Sequence, residues 1–271
     1  MKNIRRILAW AGIILLLSMY VLSLIFAVMK SELAGTLFRA SIGCTILVPV
    51  LLYLFLLTAK AVKPDKSPII DCVIFDIGCV LLDFPWKEQA EAAEVSPECR
   101  EVLLNKIIST PLWNELDLNN RPFEDILSDI TQIEPKYAEE IRSYYLTLDD
   151  NVSPFWYTDP LLSRLHRKGY RLMYLSNWCE HSYEHQMKKG TMDFLKYMDG
   201  GVWSFEEHVI KPDPQIYKTL ISRYGLKPER CVFVDDKAEN IKAAKACGLA
   251  AILFKDYNDL IDKLSSLGVR I

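Results

Sequence analysis

The sequence lacks the cysteine and basic patterns that mark several common classes of protein. Its 271 residues include seven cysteines, an odd number, and no two of them form a Cys-x-x-Cys pair. This scatter argues against a zinc site and against a disulfide framework, and it is typical of a reducing compartment. The formal net charge is only −3 and the body of the chain has no long basic run, so we expect no nucleic-acid partner.

Apolar residues are in excess near the N-terminus. The overall hydrophobic fraction of 51% is a little high for a soluble protein. One uncharged run covers residues 7–29, and a second, which contains Pro49, covers residues 40–59. At about 1.5 Å per residue, the first run is long enough to cross a hydrocarbon core roughly 30 Å thick. A cleaved signal peptide is the alternative, but its apolar core is shorter, at about 7–15 residues. We therefore expect a two-helix transmembrane hairpin over residues 1–60.

The basic residues around these runs predict an orientation. They lie mainly outside the hairpin, at Lys2, Arg5, Arg6, Lys60, Lys63 and Lys66, whereas the connecting turn has only Lys30 and Arg39, offset by Glu32. The positive-inside rule then places both termini in the cytoplasm. The sequence thus predicts a multi-pass membrane protein with two spans, a lipid bilayer as partner, a linker over residues 61–67 and a cytoplasmic catalytic domain.

The pattern of apolar and polar residues changes after the linker. The apolar run IIDCVIF at residues 69–75 is typical of a buried parallel strand. From residue 159 onward, three helix patterns each precede an apolar strand pattern, and a last helix covers about residues 257–267. This alternation predicts an α/β fold, a Rossmann-like parallel sheet with helices on both faces. A helical block at about residues 86–147 interrupts it and is expected to be a separate insert.

Polar side chains follow three of the expected strands. They are Asp76, Ser176–Asn177 and Asp235–Asp236, and Lys211 lies in a loop before a helix. Ligands bind outside the carboxyl ends of the strands in open parallel sheets, so these groups should converge. Hard oxygen ligands suggest Mg²⁺ rather than zinc as the cofactor. A metal, a lysine and a hydroxyl would together bind a phosphoryl group, which Asp76 could attack.

Four segments, FDIGCVLLDF, LSNW, IKPDPQIY and VFVDDKAEN, occur in the order of the four motifs of the haloacid dehalogenase-like superfamily. The resemblance covers about residues 69–263. The chain looks most similar to the subgroup with α-D-glucose-1-phosphate phosphatase and the phosphatase half of soluble epoxide hydrolase. It implies a core at residues 68–85 and 155–271, and an α-helical cap at residues 86–154.

The resemblance also implies roles for individual residues. Asp76 matches the nucleophile, Ser176 the hydroxyl that binds phosphoryl oxygens, with Asn177 beside it, and Lys211 the lysine that neutralises nucleophile and phosphate. Asp76, the Gly78 carbonyl and Asp236 would bind the metal directly. Asp235 would lie at or just outside the coordination shell, and Asn240 would hold a metal-bound water. The implied activity is that of a phosphomonoesterase acting on a small phosphorylated metabolite, with a sugar phosphate expected.

One departure from the family pattern concerns Gly78. Many phosphatases of the superfamily have an aspartate there, two residues after the nucleophile, as general acid and base. Its absence leaves the proton donor unassigned, although some members of the resembled subgroup also have glycine. Two alternatives therefore stay open: a non-catalytic, membrane-anchored module that binds phosphate, and a dehalogenase-type hydrolase that would use no magnesium. Protein partners, oligomeric state and the exact substrate are not determined by the sequence.

Overall fold

The structure is a computed structural model of the chain. It describes residues 17–18, 20–21, 23–25, 27–28, 32–61, 69–85, 89–90, 94–108 and 111–271. By its internal contacts the chain divides into two compact units, residues 1–66 and 67–271, which are considered separately.

The first unit contains one long described helix, α1 (Glu32–Ala61), which has Pro49 in its interior. Most of the first apolar run, residues 7–29, lies outside the described residues. The second run is one part of α1, which also carries the charged residues Glu32, Arg39 and Lys60. None of the helices in the described part of the chain meets the length and hydropathy that a membrane crossing requires. The predictions of a two-span hairpin and of a multi-pass membrane location are therefore wrong.

The second unit is built on a five-stranded parallel sheet. In chain order, the strands described in this unit are β1 (Cys72–Phe75), β2 (Leu82–Asp83), β3 (Ser153–Pro154), β4 (Arg171–Ser176), β5 (Gly200–Trp203), β6 (Cys231–Asp235) and β7 (Ala250–Leu253). Five of them form the parallel sheet, and β2 and β3 form a separate pair. The sheet has the order β5–β4–β1–β6–β7, and every neighbouring pair is parallel. Strand β1 is thus central, with β4 and β6 on either side. The predicted α/β fold with a parallel sheet is confirmed.

Both faces of this sheet are covered. Along β1, Val73 and Phe75 belong to one apolar cluster, whereas Cys72 and Ile74 belong to a second. Successive side chains of a strand point to opposite faces, so a strand buried on both sides is apolar throughout. The helices of this unit are α2 (Pro97–Val102), α3 (Pro111–Leu118), α4 (Phe123–Gln132), α5 (Ala138–Thr147), α6 (Thr158–Arg167), α7 (Glu180–Lys189), α8 (Ser204–Glu207), α9 (Pro214–Tyr224), α10 (Ala238–Ala246) and α11 (Tyr257–Ser266).

Helices α2 to α5 form a separate layer, which we call the helical segment (residues 89–152). It has its own buried apolar cluster, which includes Leu127 and Tyr145. The chain enters and leaves it through β2 and β3, which pair antiparallel with Leu82 opposite Pro154. The Thr158 hydroxyl donates to the Leu81 carbonyl across the same junction, at 2.6 Å. The two connections therefore run side by side and tie the segment to the sheet.

The sequence patterns did not predict strand β5, which is an outermost strand of the sheet. Its sequence is GGVW, with too few apolar residues to show a strand pattern. The glycines have a packing reason, because a Cβ at Gly201 would lie 2.3 Å from the Tyr174 ring. A short edge strand whose glycines accommodate aromatic side chains of its neighbours carries little of the apolar alternation on which strand prediction depends.

Candidate active site

The candidate active site lies at the carboxyl ends of three adjacent strands. Asp76 follows β1, Ser176 ends β4, and Asp235 ends β6. Because the three strands are parallel neighbours, their carboxyl ends meet on one side of the sheet, and we call this row of carboxyl ends the sheet edge. The Asp76 N–H donates to the Val234 carbonyl at 2.9 Å, so the first residue beyond β1 is still held by β6. The predicted convergence of the polar groups therefore occurs.

The Asp76 carboxylate is buried and held through one oxygen. The Ser176 hydroxyl donates to Oδ1 at 2.7 Å, the Ile77 N–H donates to the same atom at 2.8 Å, and Lys211 Nζ lies 2.8 Å from it. None of the described residues donates a hydrogen bond to Oδ2. The three donors thus orient the carboxylate and leave its second oxygen available.

Lys211 bridges two carboxylates. Its ammonium group lies between Asp76 Oδ1 and Asp235 Oδ2, which is 2.7 Å away, and its side chain is almost fully buried. Asn177 holds the lysine backbone from both sides: the Lys211 N–H donates to Asn177 Oδ1 at 2.7 Å, and Asn177 Nδ2 donates to the Lys211 carbonyl at 3.1 Å. In this structure the Asn177 amide therefore positions the lysine.

Asp235 is fully occupied by hydrogen bonds, whereas Asp236 is more accessible. Asn240 Nδ2 donates to both oxygens of Asp235, at 2.9 and 3.0 Å, and the Lys237 N–H donates to Oδ1 at 2.8 Å. Oxygen atoms of Asp76, Asp235 and Asp236 all lie within 4.8 Å of one another. Asn240 Oδ1 is buried and has no hydrogen-bond partner among the described residues. A hard cation with oxygen ligands fits this set of donors.

The electrostatics reflect the crowding of charge. Burial raises the pKa of Asp76 to about 7, against the opposing charge of Lys211. Burial also acts to lower the pKa of Lys211, but the charges of Asp76 and Asp235 outweigh it and raise the pKa above its ordinary value. The pKa of Asp236 is raised by burial and by the neighbouring Asp235. Two or more carboxylates at such distances favour either a proton or a cation between them.

A cavity of about 490 Å³ opens onto these groups. At the sheet end it is lined by Asp76, Gly78 and Asp236, among others. The helical segment supplies much of the opposite wall, through the predominantly apolar set Ile108, Pro111, Trp113, Asn114, Leu116, Asp117, Phe123, Tyr145, Leu148 and Asp149. The cavity therefore has charged groups at the sheet end and a wall of mainly apolar and aromatic side chains where the helical segment lines it.

Gly78 has no side chain where the family often has an acid, and Trp178 occupies the neighbouring space. A Cβ at Gly78 would lie 3.3 Å from Trp178 Cζ3, and the glycine backbone is not in the left-handed region. Trp178 is buried against Phe84 and Trp203. The loop after β1 thus offers no carboxylic acid at this position, and its backbone does not require glycine.

Several residues that the fold brings to the cavity were not predicted from the sequence as site residues. They are Asp117, Asp149 and Trp113 in the helical segment, and Lys237 after β6. Of the histidines, only His181 lines the cavity, and its ring stacks on Phe123 with centroids 4.1 Å apart. Asp117, Asp149 and Trp113 have no local sequence signal, because their position depends on how the helical segment packs over the sheet. Lys237 directly follows the Asp235–Asp236 pair, so its place beside β6 could have indicated it.

Comparison with known proteins identifies the family. The model for "Hydrolase: haloacid dehalogenase-like hydrolase" matches residues 70–248. The chain belongs to the haloacid dehalogenase-like hydrolase family. The chain is thus a hydrolase, as the resemblance predicted. The family and the cluster of three carboxylates also support the prediction of magnesium as its cofactor.

Three relatives illustrate the range of this family. The chain is 34% identical to flavin mononucleotide hydrolase 1 of Arabidopsis thaliana over 61 residues, which are 22% of this chain and 25% of that protein. It is 25% identical to a sesquiterpene phosphatase of Aspergillus oryzae over 183 residues, 68% of this chain and 89% of that protein. A haloacid dehalogenase-like enzyme of Bacteroides thetaiotaomicron, solved with magnesium and inorganic phosphate, shares the fold: the TM-score is 0.55 at 19% identity, over 70% of this chain and 98% of that one.

Three of the sequence matches to curated relatives are local. The chain spans only 19–25% of the length of those proteins. These matches support the family and leave the activity of the whole chain to be argued from its own site.

Proposed function

We propose that this chain is a magnesium-dependent phosphatase in which Asp76 is the nucleophile. The observation that carries the proposal is the orientation of the Asp76 carboxylate. Three donors hold its Oδ1, while Oδ2 faces no donor from the described residues. A carboxylate held in this way, beside a buried ammonium group, suits attack on phosphorus with formation of an aspartyl-phosphate.

The roles of the other residues follow from their contacts. Lys211 and the Ser176 hydroxyl lie within hydrogen-bond distance of Asp76 Oδ1, so both can reach a phosphoryl group that approaches it. Asp76 and Asp236, with the Gly78 carbonyl, would hold the metal. Asp235 would act mainly by positioning Lys211, since its two oxygens already accept from three residues. Bound magnesium would supply positive charge that keeps Asp76 ionised despite its burial.

Two relatives support phosphatase chemistry, since one is a flavin mononucleotide hydrolase and the other a sesquiterpene phosphatase. The carboxylate cluster argues against the dehalogenase alternative, because that chemistry uses no metal and leaves Asp236 without a role. A non-catalytic module is less well supported, since Asp76, Ser176 and Lys211 are all present and in contact.

The side chains that the helical segment contributes to the cavity wall indicate which kind of substrate would fit. A sugar phosphate is the expectation from the resemblance, but most residues that the helical segment contributes to the cavity are apolar, and three of them, Trp113, Phe123 and Tyr145, are aromatic. The hydroxyl groups of a bare sugar would lose hydrogen bonds to water against such a wall. We infer that the small phosphorylated substrate carries an apolar or aromatic alcohol portion.

A phosphate-release assay tests the proposed function. The wild-type chain with magnesium should hydrolyse an aryl phosphate, and Asp76→Asn, which is nearly isosteric, should keep the fold and lose turnover. Chelation of magnesium should abolish activity as well. Appreciable turnover by Asp76→Asn would rule out covalent catalysis by Asp76. If the wild type hydrolysed no phosphate ester at all, the non-catalytic module that binds phosphate would be the better hypothesis.

A substrate panel tests the inference about the wall. Benzyl phosphate and prenyl phosphates should be preferred over glucose 1-phosphate and glucose 6-phosphate. Trp113→Ala should reduce this preference, because it removes an aromatic side chain from the cavity wall. Trp156→Ala is the matched control, since Trp156 is 74% exposed and does not line the cavity. A wild-type preference for the sugar phosphates would contradict the inference.

A further inference from the structure

The proposed phosphatase reaction needs a proton donor that the sheet edge does not provide. Gly78 has no side chain, although it occupies the position where related phosphatases often have an acid. Lys211 is engaged by Asp76 and Asp235 at 2.8 and 2.7 Å. The donor must therefore come from another side chain that lines the cavity.

Most other titratable groups of the cavity are poorly suited. The Asp149 carboxylate accepts a hydrogen bond from the Ser182 hydroxyl at 2.6 Å, and its backbone carbonyl accepts one from Gln186 Nε2 at 2.7 Å, so Asp149 is already bonded to α7. Burial raises the pKa of Cys79 and of Cys179 to about 12, so neither thiol exchanges a proton readily near neutral pH. The His181 ring of α7 is stacked on Phe123 of the helical segment, with ring centroids 4.1 Å apart.

Asp117 differs from these groups in what it faces. It lies in the last turn of α3, lines the cavity together with Asp76, and its charge interacts with those of Lys237, Lys211 and Asp76. Its carboxylate accepts no hydrogen bond from a residue in the described part of the chain. Burial raises the pKa of Asp117 to about 7, which suits an acid that must also act as a base.

The end of α3 is anchored to the sheet layer directly after Asp117. His208, directly after α8, lies with Nδ1 2.9 Å from the Leu118 carbonyl. The Asn119 side chain donates to Glu180, the first residue of α7, at 2.8 Å. The two residues that follow Asp117 are therefore both bonded to elements of the sheet layer. This anchoring places Asp117 at the boundary between the helical segment and the catalytic groups.

We propose that Asp117 is the general acid and base of the reaction, in place of the acid missing at Gly78. The proposal rests on the proposed phosphatase function. In the first step Asp76 attacks phosphorus, the bond from phosphorus to the ester oxygen breaks, and the Asp117 proton passes to that oxygen to release the alcohol. In the second step the Asp117 carboxylate takes a proton from water as the water oxygen bonds to phosphorus. The bond between phosphorus and Asp76 breaks, releasing phosphate and restoring both aspartates.

The test compares two esters that differ in their need for a proton. Using the full chain with magnesium, alcohol release in the first turnover is measured for benzyl phosphate and for p-nitrophenyl phosphate. Asp117→Asn should slow benzyl alcohol release by about 10²–10⁴-fold, the usual contribution of a general acid, and slow p-nitrophenol release by less than about tenfold. After that burst the variant should accumulate the aspartyl-phosphate, because no base activates water.

Two further variants keep the result interpretable. Asp125→Asn makes the same change at an exposed position of α4 and should behave as wild type on both esters. Asp117→Glu keeps a carboxyl group and should retain part of the activity on benzyl phosphate. If Asp117→Asn slows both esters equally, or neither, or if Asp117→Glu is as slow as Asp117→Asn, the proton role is wrong. A wild type that releases no alcohol from either ester would instead overturn the proposed function, and this role with it.

Discussion

The two faces of the active-site cavity are built on different physical principles. The sheet edge presents charged groups that are buried and bonded to one another, and Lys211, which joins two carboxylates, is the clearest case. The helical segment presents mainly apolar side chains over its own cluster, with Asp117 as an exception close to the sheet. The comparison suggests a division of labour, in which the sheet edge binds and attacks the phosphoryl group and the helical segment selects the alcohol.

The ion pairs of the two regions differ in how far they are buried. Lys211 and Asp235 are fully buried, so each needs the other as a partner. Arg121, in the helical segment, pairs with Glu115 and Asp129 at the surface, where all three side chains are about 40–50% exposed. Removing one partner of a buried pair leaves an uncompensated charge, whereas exposed pairs are screened by water and salt. Four tests would break or sharpen this comparison.

The largest effect is expected at Lys211. Lys211→Met should abolish turnover and lower the free energy of unfolding by about 3–5 kcal/mol, because Asp76 and Asp235 lose their common buried partner. The measurement is denaturant unfolding in chelator, together with phosphate release in magnesium. Lys242→Met, at an exposed position of α10, serves as the control. A stable Lys211→Met variant would show that the buried charges at the sheet edge are not coupled as described.

The second test separates the two aspartates after β6. Asp236→Ala should weaken magnesium binding, seen as a higher magnesium concentration for half-maximal activity, with little loss of stability. Asp235→Ala should lower stability more, because it removes the acceptor of Lys211, Asn240 and the Lys237 N–H. Equal magnesium requirements in both variants would contradict the assignment of Asp236 as the direct ligand.

The third test concerns the core of the helical segment. Leu127 is fully buried there, so Leu127→Ala should lower the free energy of unfolding by about 2–5 kcal/mol through lost burial and a residual cavity. Ser128→Ala, at the next and exposed position, should change it by less than about 0.5 kcal/mol. If Leu127→Ala also raises KM for benzyl phosphate, the segment contributes to substrate selection; an unchanged KM would separate its stability from its role in the cavity.

The smallest effect is expected at Arg121. Arg121→Gln removes both exposed ion pairs of this residue and should lower the free energy of unfolding by no more than about 1 kcal/mol, with less effect at high salt. The measurement is thermal unfolding at two salt concentrations. A loss as large as that from Lys211→Met would mean that exposure does not distinguish the charge pairs of the two regions.

The sequence was sufficient for the sheet edge because parallel strands bring their carboxyl ends together whatever the rest of the chain does. Asp76, Ser176 and Asp235 each directly follow or end an apolar run, so their convergence could be predicted from local patterns. The family could be predicted for the same reason, since its motifs lie at those strand ends. Strand β5 escaped prediction because its glycines serve the packing of Tyr174 and Tyr224 and leave almost no apolar pattern. The membrane hairpin was predicted from hydropathy alone and is contradicted by the described helices.

The sequence by itself thus determined the fold class, the family and the charged groups that converge on Asp76. Tertiary structure decided what faces those groups across the cavity. Asp117 is 41 positions from Asp76 along the chain, and only the packing of α3 against α8 and α7 brings it to the cavity. The physical reason is that strand ends are aligned by backbone hydrogen bonds, which recur in every parallel sheet. The helical segment is placed by side-chain contacts particular to this chain.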